Sequence, residues 1–300
     1  MTSADRATPP WLRAAPPTPI RIGGRLFEWG RRTYVMGIVN VTPDSFSGDG
    51  LLAPAGGREG AVVEAAIVQA RRMVEEGADI LDVGGESTRP GHHVVAEGEE
   101  AARAVPVIAA IHAALPEVPI SIDTYKPAVA EAALDAGASL LNDVWAVSTD
   151  GAMSRLAASR GVPMVVMHNR AQPQYEDFTA ELIDDLRAAI ERAVAAGVPR
   201  QNLILDPGFG FGKTPEHNLM VMRSLPQLRG LGQPVLLGTS RKSTIGRLLG
   251  GLPPEERLEG TLATTALGIA SGVDLVRVHD VRANARAARV ADAIVRGELP

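Results

Sequence analysis

From residue 33 onward the chain repeats one unit eight times: a short apolar run, a loop of Gly, Pro, Asp, Asn or His, then an Ala-rich amphipathic pattern with helical period. The apolar runs fall near 34–40, 79–84, 119–123, 139–143, 163–168, 203–206, 234–238 and 274–278. Helical patterns lie between them, as at 60–76, 97–114, 175–196 and 255–271. Runs with no polar alternate suit strands buried on both faces, the condition of a parallel sheet covered by helices. Eight such units in succession predict a single (β/α)8 TIM barrel of class α/β. The alternative is a doubly wound open sheet, which usually carries a glycine fingerprint after its first strand, where this chain has Asn40-Val-Thr-Pro. Residues 20–32, IRIGGRLFEWGRR, predict a short N-terminal hairpin that covers the barrel's N-terminal end. Residues 1–19 carry Pro9, Pro10, Pro16, Pro17 and Pro19 and read as a disordered tail, so the barrel domain is expected to span 20–300.

In a barrel the C-terminal ends of all strands open on one mouth, and residues distant in sequence converge there. In this chain the strand ends are Asn40; Asp82 and the stretch to Pro90; Asp123; Asn142 and Asp143; His168 and Asn169; Asp206; Ser240, Arg241 and Lys242; and Arg277, His279 and Asp280. Any one of these could be an ordinary helix cap. All eight together point to a ligand site, because carboxylates and amides without partners are costly to bury. Arg89, Arg277 and His279 offer cationic donors to phosphate oxygens, and Gly84-Gly85 lets backbone approach closely. Asp123, Asn142 and Asp206 suit the donor–acceptor edge of an aminopyrimidine-type heterocycle, with Lys242 reaching its carbonyl or ring nitrogen. Asn40, Thr42, Asp44 and Ser45 suit an oxyanion with its metal, and Phe46 suits a flat ring. Among thirty Lys and Arg only Lys126, Lys213 and Lys242 are Lys, and each follows an apolar run, which suggests sites that need a compact point charge. Five of the eleven aromatics, Phe46, Tyr125, Trp145, Phe209 and Phe211, also follow strands.

Several function classes are excluded. A net charge of −5 with no basic block gives no nucleic-acid surface. No apolar stretch reaches the ~18 residues that suggest a membrane span. Cysteine is absent, which excludes disulfides and thiolate metal sites but leaves the compartment undecided, and a cytoplasmic location is the default expectation. Pro207 to Thr214, PGFGFGKT, nearly matches a phosphate-binding G-x-x-x-x-G-K-[ST] loop, but Pro207 stands where the first Gly belongs. His92-His93 beside Glu97 lacks metal-ligand spacing, and His112 and His217 complete no nucleophile–base set.

With NVTPDSFS, DVGGESTRPG, SIDTYKP, NDVWA, MHNR, LDPGFGFGKT, GTSRKS and RVHDV in this order, residues 33–295 resemble the dihydropteroate synthase family of folate biosynthesis, the sulfonamide target. The resemblance implies a homodimeric (β/α)8 barrel that condenses 6-hydroxymethyl-7,8-dihydropterin diphosphate with 4-aminobenzoate and releases diphosphate, with Mg2+ as cofactor. It implies a pterin pocket at Asp123, Asn142, Asp206 and Lys242. The diphosphate site it implies is Asn40, Arg89, Arg277 and His279, with Asn40 also near Mg2+. The implied aminobenzoate pocket is Phe46, Thr88, Pro90, Phe209 and Ser243. Catalysis falls to Asn40, Asp206, Lys242, Arg277 and His279. Two departures from the commonest pattern are the Gly48-Asp49 order in the first loop and Trp145-Ala146 after the fourth strand. Two other functions stay open: a pterin-dependent methyltransferase, which would not need the diphosphate set, and a non-catalytic pterin-binding paralogue.

Overall fold

The computed structural model describes residues 15–42, 59–86, 94–145 and 151–297. A hairpin comes first: β1 (Ile20–Ile22) pairs antiparallel with β2 (Arg25–Phe27). Its turn needs the positive φ of 57° that Gly23 supplies without strain. Eight parallel strands follow: β3 (Tyr34–Asn40), β4 (Ile80–Gly84), β5 (Ile120–Asp123), β6 (Leu140–Asp143), β7 (Met164–Met167), β8 (Leu203–Asp206), β9 (Leu236–Leu237) and β10 (Leu275–Val278). Their order is β8-β7-β6-β5-β4-β3-β10-β9. A parallel bridge between Leu205 and Val235 closes the ring, with the Leu205 N–H donating to the Pro234 carbonyl at 2.9 Å. The outer layer is α1 (Glu59–Glu76), α2 (Glu97–Ala114), α3 (Pro127–Asp135), α4 (Ala152–Arg160), α5 (Phe178–Ala195), α6 (Pro215–Arg229), α7 (Ser243–Leu248), α8 (Leu258–Ala270) and α9 (Val281–Arg296).

Strand positions agree with the sequence reading to within two residues. The seventh is shortest: Pro234 has no N–H, and the Val235 N–H goes to the Asp274 carboxylate at 3.1 Å rather than to the ladder, so regular pairing begins at Leu236. The fifth helix starts at Phe178 rather than 175, since the Asp177 carboxylate accepts the Ala180 N–H at 3.1 Å and caps it there. No helix among the described residues is long and apolar enough to cross a membrane. Residues 15–19 belong to the described chain and Pro17 is buried, so ordered packing begins ahead of residue 20.

Strand period two divides the barrel interior into a dry base and a polar mouth. Tyr34, Met36, Ile80, Leu140, Val165, Ile204, Leu236 and Leu275 face inward at the base and pack with Ile20, Ile22, Phe27 and Trp29 of the hairpin segment. The rings of Phe27, Trp29 and Tyr34 meet at centroid distances of 4.7 to 5.7 Å. The hairpin therefore plugs the N-terminal end, as expected from residues 20–32. Thr33 donates from N–H and Oγ to Asp292 at 2.7 and 2.9 Å, and Arg296 reaches Asp292 at 2.7 Å and the Gly30 carbonyl at 2.8 Å. These contacts fasten α9 to the plug. Two residues further along β4, β6, β8 and β10 the inward set changes to Asp82, Asn142, Asp206 and Arg277, with Asp123 of β5 in register with Asn142 and Asn40 of β3 one layer higher, opposite Gly84.

Candidate functional site

Arg277 projects from β10 into the centre of the mouth and joins two carboxylates there. Its Nε donates to Asp82 Oδ2 at 2.6 Å and an Nη to Asp123 Oδ2 at 2.7 Å, while Asn142 Nδ2 donates to the same Asp82 oxygen at 3.2 Å. Asp82, Asp123 and Asn142 are all buried. Buried charge of this kind persists only when paired. The pairing is incomplete: Oδ1 of Asp82 and Oδ1 of Asp123 have no hydrogen-bond partner among the described residues. Each is an acceptor suited to a ligand N–H. Burial pushes the Asp123 carboxyl up to about 7, against the pull of Arg277. Burial would lower Arg277, but the charges of Asp82 and Asp123 overcome it and hold the guanidinium above its ordinary value.

Asp206 and Lys242 form the opposite wall. Asp206 ends β8, is 6% exposed, and accepts the Gly208 N–H at 2.7 Å. Burial raises its pKa, with Lys242 opposing. Lys242 caps α7; its Nζ donates to the Phe209 carbonyl and sits 4.4 Å from the centroid of the Phe211 ring. Burial lowers Lys242 to about 8. The loop carrying these partners has Gly208, Gly210 and Gly212 at φ 67°, 86° and 53°. A side chain at 208 or 212 would strike the carbonyl of His168 or Arg170. Phe209, expected in the aminobenzoate pocket, departs from that expectation: it is 1% exposed, its ring packs in the barrel–helix core, and only its carbonyl faces Lys242. Phe211 is the half-buried ring against Lys242.

The third part of the mouth joins the loops after β9 and β10. Ser240 Oγ accepts the His279 N–H at 3.1 Å and lies 2.9 Å from His279 Nδ1. One Oγ lone pair takes that N–H, so the hydroxyl proton can be given to Nδ1, and in that tautomer the ring carries its own proton on Nε2. Arg241 is the one non-glycine residue with positive φ, 58°, among the described residues. Its N–H donates to Thr261 Oγ at 3.1 Å, its carbonyl accepts from Arg257 at 2.8 Å, and its guanidinium forks onto Asp280 at 2.9 and 2.6 Å. Strain of about 1–3 kcal/mol persists only where surroundings over-determine it, and these contacts do so. They turn Ser240 toward His279 and Lys242 toward Asp206 and Asp123.

Asn40, Asp123, Asn142, Asp206, Lys242, Arg277 and His279 thus share the mouth, and Ser243 sits exposed beside it as the first residue of α7. Phe46, Thr88, Arg89 and Pro90 lie outside the described residues. Two strand-end residues turn away. His168 lies on the outward side of β7 and meets Asp185 of α5 at 3.0 Å, and Asp143 accepts the Trp145 N–H at 2.8 Å. Lys126 serves a separate buried cluster, paired with Glu86 and, at 2.6 Å, with Glu100. Two residues escaped assignment from sequence. Asp82 could have been found by parity, being two residues before Gly84 and in register with Ile38. Nothing in the Phe-Gly-Phe pattern distinguishes Phe211 from Phe209.

A family profile described as pterin binding enzyme matches residues 36–279. Dihydropteroate synthase of Clostridium beijerinckii is 50% identical over 278 residues, covering 92% of this chain and 100% of the relative. Dihydropteroate synthase of Bacillus subtilis is 51% identical over 268 residues, covering 89% and 90%. Among solved structures, Xanthomonas albilineans dihydropteroate synthase with 4-aminobenzoic acid superposes with a TM-score of 0.86 at 42% identity, covering 95% of this chain and 100% of that one.

Proposed function

The chain belongs to the pterin binding enzyme family, among its dihydropteroate synthases, and from that membership we propose how its barrel mouth works. It is a transferase of folate biosynthesis that joins a pterin diphosphate to 4-aminobenzoate, giving 7,8-dihydropteroate and diphosphate. Asp123, Asn142, Asp206 and Lys242 hold the pterin. The observation that carries this reading is the pair of partnerless buried acceptors on Asp82 and Asp123 opposite the Asp206–Lys242 wall. Ring N–H groups satisfy acceptors that are otherwise expensive to bury.

Asn40, Arg89, Arg277 and His279 take the diphosphate. The C–O bond to diphosphate breaks with its electron pair leaving on oxygen, and the positive charge spreads into the pterin ring. The arylamine nitrogen then attacks the exocyclic carbon, forms the C–N bond and loses a proton. Arg277 and the Nε2–H of His279 stabilise charge growing on the leaving oxygens. Phe46, Thr88, Pro90 and Ser243 line the aminobenzoate side, and the ring of Phe211 stands in for that of Phe209. Among the described residues no group of three or more His, Cys, Asp or Glu could hold a metal by itself. The amide oxygen of half-buried Asn40 is a hard donor that would suit Mg2+ as a protein ligand. When bound there, Mg2+ neutralises phosphate charge. The test is diphosphate release: it should require added 4-aminobenzoate, and release indifferent to the arylamine would overturn the reading.

A pH profile follows from the site. Protonation of Asp123 below about 7 removes a ring acceptor, and deprotonation of Lys242 above about 8 removes its charge. The kcat/KM for pterin diphosphate should therefore be a narrow bell with limbs near those values, as macroscopic constants of the coupled site. A flat profile from about pH 6 to 9 would rule this out.

A second copy of the chain is the proposed partner. Leu267 of α8 and Val290 and Ile294 of α9 are 62%, 61% and 76% exposed on two helices packed together. Such a patch suits an interface. Leu267→Asp with Ile294→Asp should convert a dimer to monomer in sedimentation equilibrium; a wild-type monomer at micromolar concentration would exclude it.

A further inference from the structure

Lys213 is the one lysine that neither the proposed reaction nor the Lys126 cluster accounts for. Lys213 Nζ faces three acceptors: His168 Nδ1 at 2.9 Å, the His168 carbonyl at 3.2 Å and the Phe211 carbonyl at 3.0 Å. Burial lowers its pKa to about 7, so all three donors are present in the protonated form below that pH, and two remain above it. His168 is 0% exposed, and its other nitrogen meets Asp185 Oδ2 at 3.0 Å. With Lys213 donating to Nδ1, the proton sits on Nε2 and is donated to Asp185. Arg170 completes the support, bonding Asp185 at 2.9 Å and Glu181 at 2.6 Å. The far end of the loop is held independently, by the Tyr175 hydroxyl donating to the Gly212 carbonyl at 2.8 Å.

The consequence lies on the opposite face of the same loop. Residues 208–212 present the Phe209 carbonyl to Lys242 Nζ and the Phe211 ring 4.4 Å from it. Glycines at positive φ give this segment little intrinsic preference for one shape. That shape is selected by two ties: Asn218 Oδ1 of α6 accepts the Gly210 N–H at 2.7 Å, and Lys213 joins the Phe211 carbonyl to His168 at the end of β7. We infer that Lys213 is a positioning residue, acting through Phe211 and the Phe209 carbonyl to hold the wall shared by Lys242 and the arylamine. Burial, followed by the charge of Lys213, drives His168 down to about 3, so the imidazole is a neutral acceptor throughout the working range. Arginine cannot substitute, because a planar fork does not deliver three converging donors to one point. The inference rests on the arylamine site proposed above.

The experiment uses the full chain with Lys213→Met, Lys213→Arg, Phe211→Ala and the Lys213→Met/Phe211→Ala double variant. Both Lys213 variants should raise KM for 4-aminobenzoate about tenfold while kcat falls less than about threefold. In the Phe211→Ala background Lys213→Met should add less than about twofold, the mark of two residues acting as one unit. Amide hydrogen exchange should rise at 208–214 and stay unchanged in the strands. A lower thermal midpoint with both KM values unchanged means a structural role only and overturns the inference, as do effects that multiply in the double variant. If Lys213→Met does not fold, Lys213→Arg carries the same expectations. Should the wild type release no diphosphate with 4-aminobenzoate, the proposed function fails by itself. Unaltered exchange at 208–214 would then still refute Lys213 as a tie.

Discussion

Arg277→Ala is expected to lose about 3–5 kcal/mol of folding stability at pH 8 and nearly all activity, the larger of the two main effects. The loss arises because Asp82 and Asp123, 0% and 4% exposed, keep their burial and lose their counter-charge. Asp123 already sits near 7 with the guanidinium present, so removing it moves the carboxyl higher still. A carboxyl whose folded pKa is raised contributes stability that is fully present below its unfolded pKa and is lost as pH rises through the folded one. The penalty should thus be small near pH 5 and grow through pH 7 to 8. Denaturant midpoints at pH 5 and pH 8 test this, and a wild-type midpoint at pH 8 would disprove the pairing. Binding divides the same way. Arg277→Ala should weaken pterin and diphosphate together in calorimetry, since its contacts are with Asp82 and Asp123, the carboxylates proposed above to face the pterin. His279→Ala, tied to Ser240 instead, should weaken diphosphate alone.

Asp206→Ala should cost about 2–4 kcal/mol in kcat/KM, roughly one to three orders of magnitude. Two interactions disappear together: the charge facing Lys242 and the acceptor for the Gly208 N–H that begins the glycine loop. Asp206→Asn separates them, because the amide oxygen still accepts from Gly208 while the charge is gone. If the charge orients Lys242 and the ring, Asn should resemble Ala. Near-normal turnover in Asp206→Ala would mean the pocket has been misplaced.

The barrel was legible because periodicity is a local property: each run from Tyr34–Asn40 to Leu275–Val278 carries its own signal, and eightfold repetition leaves few ways to bury them. The strand-end chemistry was legible for the same reason, and parity assigns Asn142 inward and Asp143 outward. What sequence could not supply was pairing across the ring. Arg277 reads as a phosphate donor from its neighbours in sequence, but its bonds go to residues 154 and 195 positions away. The three lysines read alike, yet Lys126 lies between Glu86 and Glu100, Lys213 on His168, and Lys242 in the wall of the mouth against Phe211. Phe209 and Phe211 differ only in which face of a glycine loop each takes, and that is decided by contacts with β7 and α7.

The clasp between the plug and α9 bears on how the chain reaches this shape during synthesis. Thr33 and Asp292 are 259 residues apart, and β3 finds its neighbour β10 only when nearly all of the chain has emerged. Until then one edge of β3 stands open, as apolar as a buried strand and ready to pair with a foreign edge. Closing the ring is a long-range event, slow by topology, and its contacts give no reward until they form. The nascent chain therefore passes through a stage in which its base is built but its seam is open, the stage at which a chaperone or an aggregate would compete for it.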